Sequence, residues 1–143
     1  MDTFVFNTAP RIVSGAGSSL ELAQQCRMLG VKRPLLVTDP GLVAIGLVDP
    51  VLSALASAGM PAVLFDQVKE DPPEAVVLAA AERGVAEGID GVIAVGGGSS
   101  MDVAKVVAVL MGGSQRLPEL YGVDQVSGVR LPLILVPTTA GTG

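Results

Sequence analysis

The chain has 143 residues, a length that suits one domain with one buried core. Its formal net charge is −5 and no run of lysine and arginine forms a basic stripe, so nucleic-acid binding is not expected. Aromatic residues make up 3% of the chain, too few for a base-stacking platform. Half of the residues are hydrophobic, but no uncharged apolar run reaches the roughly 18 residues that a membrane span needs, so no membrane segment is expected.

The chain contains no histidine, which is the commonest general base and a common ligand of zinc and iron. We therefore expect no histidine-ligated metal in this chain. Cys26 is the only cysteine, which excludes an internal disulfide and favours a reducing compartment. The N-terminus, MDTFVFNTAP, lacks the basic and apolar regions of a signal peptide, so the expected location is the cytoplasm.

The first predicted elements in chain order are two short β-like runs, Thr3 to Phe6 and Arg11 to Val13, which we expect to pair as a hairpin. A helix is predicted from Ser18 to Leu29, because its apolar residues share one face and Gly30 stands where a C-terminal cap belongs. Cys26 lies on that apolar face and is expected in the core.

After this helix, apolar runs alternate with helical segments. The predicted strands cover residues 35–38, 62–65, 91–95 and 131–136. The predicted helices begin at Asp49-Pro50, at Asp71 as a cap, and at Ser99. The first three strands recur about every 30 residues, which is typical of βαβ units. The predicted fold class is therefore α/β, a Rossmann-like parallel sheet with helices on both faces, preceded by the short N-terminal hairpin.

The domain organisation follows from the absence of an interior linker. Residues 1–143 are predicted to form one domain. The chain stops at Gly143, inside a glycine-rich loop that directly follows an apolar strand. We expect the native protein to continue from there into a further domain.

The most informative stretch is VIAVGGGSSMDVAK at 92–105, where an apolar strand runs into three glycines and a helix. Free backbone N–H groups at Gly97, Gly98 and Ser99 can point at phosphate oxygens, and the helix dipole adds partial positive charge there. Ser99 can also cap the helix, with Asp102 completing a capping box. Lys105 is expected to pair with Asp102 or to face solvent. The alternative is a tight turn without a ligand, but three consecutive glycines favour phosphate binding.

A second loop, PTTAGTG at 137–143, follows the last predicted strand and belongs at the same edge of the sheet. Its hydroxyl groups suit contacts to phosphate, ribose or a carboxamide. Those hydroxyls are carried by Thr138, Thr139 and Thr142. Taken alone, the loop is explained about equally well by local hydrogen bonds of threonine.

Asp39 follows the strand at 35–38 and is the third candidate at this edge. A carboxylate there can accept both hydroxyls of an adenosine ribose and would repel a 2′-phosphate, which favours NAD over NADP. The alternative for Asp39 is a turn residue in Asp39-Pro40-Gly41. Three strand ends that meet at one edge support each other, because ligands of open α/β sheets bind there.

GGGSSMDVAK at 96–105 followed by PTTAGTG at 137–143 resembles the iron-containing (group III) alcohol dehydrogenases. The resemblance extends over the whole chain through GAGSSLELA at 15–23, LLVTDPG at 35–41 and DPPEAV at 71–76. It implies an N-terminal α/β domain that binds NAD(P) and a C-terminal helical domain that holds a divalent metal, usually Fe²⁺ or Zn²⁺, through one aspartate and three histidines. By this resemblance the chain is the dinucleotide-binding domain, and the metal lies in a helical domain absent from it.

The resemblance also implies a set of cofactor-binding residues, carried over by position. They are Asp39, Gly97, Gly98, Ser99, Asp102, Thr138, Thr139 and Thr142. The glycines and the serine would hold the pyrophosphate, Asp39 would meet the adenosine ribose, and the threonines would line the nucleotide towards the nicotinamide, with Asp102 close by. The family often has asparagine where this chain has Glu70-Asp71-Pro72, so a cofactor contact there is not carried over. No catalytic and no metal-binding residue is expected within the chain.

The implied activity is hydride transfer between nicotinamide and an alcohol or aldehyde, with the metal polarising the substrate oxygen in the intact enzyme. The chain alone is expected to be inactive, and the intact enzyme is expected to be a homo-oligomer, a dimer or larger. A close alternative is a metal-independent reductase similar to maleylacetate reductase, although PTTAGTG fits the alcohol dehydrogenases better. A non-catalytic nucleotide-binding module is the alternative from a different class.

Overall fold

A computed structural model describes residues 11–113 and 130–138 of the chain. The strands are β1 (Pro34–Val37), β2 (Val63–Phe65), β3 (Gly91–Gly96) and β4 (Leu133–Pro137). The α-helices are α1 (Leu22–Met28), α2 (Pro40–Ala44), α3 (Asp49–Ser57), α4 (Glu74–Glu87) and α5 (Gly98–Gly112). A 3-10 turn, Ser18–Glu21, leads into α1.

The four strands form one parallel sheet in the order β2-β1-β3-β4. Val37 of β1 is opposite Phe65 of β2 and Ala94 of β3, and Gly96 of β3 is opposite Pro137 of β4. We call the strand ends near Val37, Gly96 and Pro137 the carboxyl edge, and the opposite side of the sheet the amino edge.

Two apolar cores cover the two faces of this sheet. Side chains alternate along each strand, so Leu35 and Val37 pack with α4 and α5, whereas Leu36 packs with α1 and α3. All six residues of β3 are buried, because helices cover the strand on both faces. This arrangement explains why the strands are short apolar runs without polar alternation.

Side-chain hydrogen bonds link neighbouring segments at the amino edge. The Asp90 carboxylate accepts hydrogen bonds from the backbone N–H groups of Lys32 (2.9 Å) and Arg33 (2.8 Å), and so joins the chain before β1 to the chain before β3. The Arg33 side chain donates to the carbonyl oxygen and to the carboxylate of Glu87 at the end of α4. Arg27 at the end of α1 donates to the carbonyl of Ala58, next to α3 (2.7 Å).

The predicted parallel α/β fold is confirmed, and each predicted strand from residue 35 onwards lies within two residues of an observed one. Two predicted helix caps are wrong. The N-cap of α4 is Pro73 and not Asp71, which has a φ of 46° outside the helix, and the N-cap of α5 is Gly97 and not Ser99. The structure assigns no strand to Arg11–Val13, and the other half of the predicted hairpin lies outside the described residues.

One element was not predicted at all. Asp39-Pro40-Gly41 reads as a turn, but it opens the short helix α2. In the part of the chain that the structure describes, no helix has both the length and the apolar character needed to cross a membrane.

Candidate functional site

The sheet topology places a crevice between β1 and β3 at the carboxyl edge. From β1 the chain continues to β2 on one side, and from β3 it continues to β4 on the other side. The loops that follow β1 and β3 therefore leave in opposite directions. In open α/β sheets this switch point is where ligands bind. One side of the crevice, the β1 lip, consists of Thr38 and Asp39. The other side, the β3 lip, consists of Gly96 at the end of β3 and Gly97 and Gly98 at the start of α5.

The β3 lip consists of the start of α5. Met101 N–H donates to the Gly97 carbonyl at 3.1 Å, which is the first bond of the helical ladder. The N–H groups of Gly98, Ser99 and Ser100 precede that bond and have no acceptor within the helix. No side chain caps this end of α5. A helix of 15 residues thus presents free donors and the positive end of its dipole to the crevice.

Each of the three glycines occupies its position for a different structural reason. A Cβ on Gly96 would lie 2.7 Å from Ser100 Oγ and 2.8 Å from Ser100 Cβ, so only glycine lets the first turn of α5 pack against the strand end. Gly97 is the N-cap in an extended conformation. A Cβ on Gly98 would meet no atom within 4 Å, and Gly98 is exposed. The space in front of Gly98 lets a ligand approach the backbone closely.

The β1 lip presents a carboxylate. Asp39 is half-buried and is the N-cap of α2, where its Oδ1 accepts a hydrogen bond from Leu42 N–H at 2.9 Å. Asp39 therefore has a local structural role, as the alternative interpretation predicted, and Oδ1 is the oxygen that performs it. That bond fixes the side chain while leaving lone pairs on both oxygens for a further donor. The local role and the predicted ribose role are compatible.

Thr38, which sequence reasoning missed, lies between β1 and Asp39. It is fully buried, and its Oγ1 has no hydrogen-bond partner among the described residues. The two residues that follow it, Asp39 and Pro40, are not buried, so no local pattern signals the burial of Thr38. The only sequence hint is a polar residue at the end of an apolar run.

The third strand end contributes Thr138. Its N–H donates to the Gly96 carbonyl at 3.0 Å, so the loop after β4 starts directly beside the glycines. The Thr138 residue is exposed. The other two candidates in this loop, Thr139 and Thr142, lie outside the described residues.

Asp102 lies one turn into α5 and is exposed. Its Oδ1 is 3.9 Å from Lys105 Nζ, which confirms the predicted pairing of these two side chains. The predicted capping box of Ser99 with Asp102 is wrong, because Gly97 occupies the N-cap and no side chain caps the helix. Asp102 is therefore free of a capping role.

Two further possibilities for chemistry are the thiol of Cys26 and a metal site. Cys26 is fully buried, as predicted, and burial, with a smaller effect of the Asp90 charge, raises the pKa of its thiol from 9.0 to about 11. Residues 11–113 and 130–138 contain no group of three or more histidine, cysteine, aspartate or glutamate side chains that could hold a metal ion. The described residues thus offer free donors at the carboxyl edge but no cluster of ligands for a metal ion.

Comparison with known proteins shows the family of the chain. Residues 9–143 match the family described as iron-containing alcohol dehydrogenase. The chain belongs to this family. Among curated members, the 4-hydroxybutyrate dehydrogenase of Cupriavidus necator is 40% identical over 126 residues, which cover 85% of this chain and 32% of that protein.

Solved structures of the family have the same fold. A 1,3-propanediol oxidoreductase matches with a TM-score of 0.84 at 33% identity, over 90% of this chain and 34% of that one. The sulfoacetaldehyde reductase of Bifidobacterium kashiwanohense in complex with NAD⁺ matches with a TM-score of 0.77 at 29% identity, over 90% of this chain and 34% of that one. A maleylacetate reductase from Agrobacterium tumefaciens matches with a TM-score of 0.70 at 30% identity, over 97% of this chain and 34% of that one. The fold alone therefore does not distinguish the activities of these three proteins.

The relatives are much longer than this chain. The chain spans about a third of the length of the curated relatives it matches. Activities and substrates in the names of those iron-containing alcohol dehydrogenase relatives belong to longer proteins.

Proposed function

We propose that this chain is the dinucleotide-binding part of an NAD-dependent oxidoreductase of the iron-containing alcohol dehydrogenase family. The observation that carries the proposal is the uncapped start of α5, which presents free N–H donors and an open space at Gly98 to the β1–β3 crevice. A phosphate-bearing ligand satisfies these donors and suits the positive end of the helix dipole.

The proposed contacts follow the lips of the crevice. The N–H groups of Gly97, Gly98 and Ser99 would donate to the pyrophosphate oxygens. Asp39, already fixed by Leu42 N–H, would accept from the hydroxyls of the adenosine ribose. Thr138, with Thr139 and Thr142 and with Asp102 nearby, would line the path towards the nicotinamide.

The bound dinucleotide would supply a hydride donor or acceptor at nicotinamide C4. The residues of this chain bind and orient it. The proposed substrate class is a small alcohol or aldehyde, because relatives are named for hydroxyl compounds and for an aldehyde.

The metal that the family name implies does not fit the described residues, since they offer no cluster of ligands. We therefore assign no step of the reaction to a metal held by this part of the chain. The proposal keeps the metal, Fe²⁺ or Zn²⁺, and the catalytic residues outside this chain, which alone would be inactive. A homo-oligomeric assembly and a cytoplasmic location also remain proposals.

The test is calorimetric titration of the 143-residue chain with NAD⁺ and, separately, NADP⁺, after a cooperative thermal melt has shown that the chain is folded. We expect saturable binding of NAD⁺ and weaker binding of NADP⁺, because Asp39 would face the 2′-phosphate. In Asp39→Asn the amide oxygen still accepts from Leu42 N–H, but the negative charge is gone. Its NAD⁺ affinity should fall about tenfold, and its preference for NAD⁺ over NADP⁺ should shrink.

Gly98→Ala tests the phosphate contact without disturbing the fold. The added methyl group meets no protein atom within 4 Å, so stability should be unchanged or slightly higher. It occupies the space in front of the α5 donors, so NAD⁺ affinity should fall by about tenfold or more. Asp90→Asn at the amino edge is the matched control and should bind NAD⁺ normally. Failure of the folded wild-type chain to bind either dinucleotide would refute the site.

A further inference from the structure

Thr38, the residue that directly follows β1, has an unusual combination of properties. It has no exposed surface, and its backbone is fully engaged, since its N–H donates to the Phe65 carbonyl (2.9 Å) and its carbonyl accepts from Val68 N–H (3.3 Å). Only the hydroxyl is left over. Among the side-chain atoms of residues 11–113 and 130–138, Thr38 Oγ1 is the buried polar atom without a hydrogen-bond partner.

A buried hydroxyl without a partner lowers the stability of a fold, and valine has nearly the same shape without the polar atom. The hydroxyl of Thr38 thus has no structural use within the described part of the chain.

The position of Thr38 indicates where a partner can come from. It follows the last residue of β1, directly before Asp39, at the lip of the β1–β3 crevice. By strand alternation its side chain lies on the same face as Leu36, the face against which Leu42 and Val43 of α2 pack. Unlike α1 and α3 on the same face, the five-residue helix α2 has no buried residue.

We propose that Thr38 is a further nucleotide-binding residue of this chain, whose hydroxyl makes its hydrogen bond with the adenosine-ribose end of the dinucleotide at the carboxyl edge. The inference rests on the proposed function. Because Thr38 has no exposed surface, it includes a small displacement of α2 around the ligand. The hydroxyl and the Asp39 carboxylate then hold the same end of the nucleotide.

The experiment compares Thr38→Val and Thr38→Ser with the wild-type chain in two measurements, the thermal melting temperature and the dissociation constant for NAD⁺. Thr38→Val removes the hydroxyl and keeps the shape. We expect its melting temperature to be equal or higher and its dissociation constant to rise about three- to tenfold. Thr38→Ser retains the hydroxyl and should restore wild-type affinity despite any loss of packing.

A mirror-image control is Val37→Thr, which places a hydroxyl on the adjacent residue of the same strand, in the opposite apolar core. It should lower the melting temperature and leave NAD⁺ affinity unchanged. A Thr38→Val chain with lower stability and wild-type affinity would overturn the inference, because the hydroxyl would then have a permanent partner. Unchanged affinity at any stability would do the same. If the wild-type chain fails to bind NAD⁺, the proposed function itself fails, and this outcome is distinct from both.

Discussion

At the amino edge of the sheet, the N–H groups of Lys32 and Arg33 both donate to the Asp90 carboxylate, and Arg33 and Arg27 donate to carbonyl oxygens at the ends of helices. At the carboxyl edge, the first N–H groups of α5 have no side-chain cap and the Thr38 hydroxyl has no partner among the described residues. Both edges belong to the same four strands and lie roughly 20 Å apart along β3. The difference therefore comes from the loops and not from the sheet.

The comparison separates two uses of polar groups. Hydrogen bonds at the amino edge are internal, and they stabilise the fold whether or not a ligand is present. Donors and acceptors left over at the carboxyl edge lower stability slightly and are available to a ligand. Substitutions at the amino edge should therefore change stability without changing binding, whereas substitutions at the carboxyl edge should change binding more than stability.

The largest effect is expected for Gly96→Ala, which breaks the carboxyl edge itself. The new Cβ would lie within 2.8 Å of Ser100 Oγ and Cβ, so the first turn of α5 must move. Overpacking of this kind costs about 1–3 kcal/mol. The displaced donors should also reduce NAD⁺ affinity by more than about tenfold. Urea denaturation and calorimetric titration measure the two effects.

The compensating variant of this experiment is Gly96→Ala combined with Ser100→Gly, which removes the side chain that the new methyl group meets. It should recover part of the lost NAD⁺ affinity. A Gly96→Ala chain that binds NAD⁺ like the wild type would show that the position of the α5 start does not matter for binding.

The next largest effect is expected at the amino edge for Asp90→Ala. The change leaves the N–H groups of Lys32 and Arg33 without their charged acceptor, and hydrogen bonds to charged groups contribute about 1.5–3 kcal/mol. Urea denaturation should show a loss in this range, and Asp90→Asn, which keeps one acceptor oxygen, should lose less. NAD⁺ affinity should be unchanged in both. Weakened binding would mean that the two edges are coupled through β1 and β3.

Much of the fold was predictable from the sequence because strands buried on both faces are short apolar runs bounded by glycine and proline. α2 was missed because Asp39-Pro40-Gly41 also fits a turn. The pair Asp39-Pro40 is equally an N-cap followed by proline at the first helical position, and the helix is too short to show an apolar period.

The candidate site was predictable in position but not in detail. The glycine run indicates a strand-to-helix junction with close backbone approach, and the junction between β3 and α5 lies at these glycines. Which glycine serves which purpose depends on tertiary contacts, since Gly96 is required by the packing of Ser100 and Gly98 faces open space. The cap assigned to Ser99 failed because Gly97 can take the extended N-cap conformation itself. The burial of Thr38 follows from tertiary contacts, such as the backbone hydrogen bonds with Phe65 and Val68, which no local pattern encodes.

The smallest effect on stability is expected for Cys26, a core residue whose thiol is influenced by the charge of Asp90 at the amino edge. Its thiol pKa is raised from 9.0 to about 11, mainly by burial and then by the Asp90 charge. The unfolded chain therefore loses this proton at lower pH than the folded chain does. The resulting stability is fully present below pH 9 and is lost as the pH rises from 9 towards 11. At pH 10 the loss should be about 1.4 kcal/mol.

Cys26→Ala isolates this contribution, because every other ionisable group is present in both chains. The difference in unfolding free energy between wild type and variant, measured in urea at pH 8 and pH 10, should change by that amount in favour of the variant. In an Asp90→Asn background the change should be smaller, since the charge of Asp90 is part of the cause. NAD⁺ affinity at pH 8 should be the same with and without the thiol, because Cys26 is buried at the far end of the sheet from the α5 donors. A difference that does not vary with pH would show that the thiol ionises equally in the folded and unfolded chains.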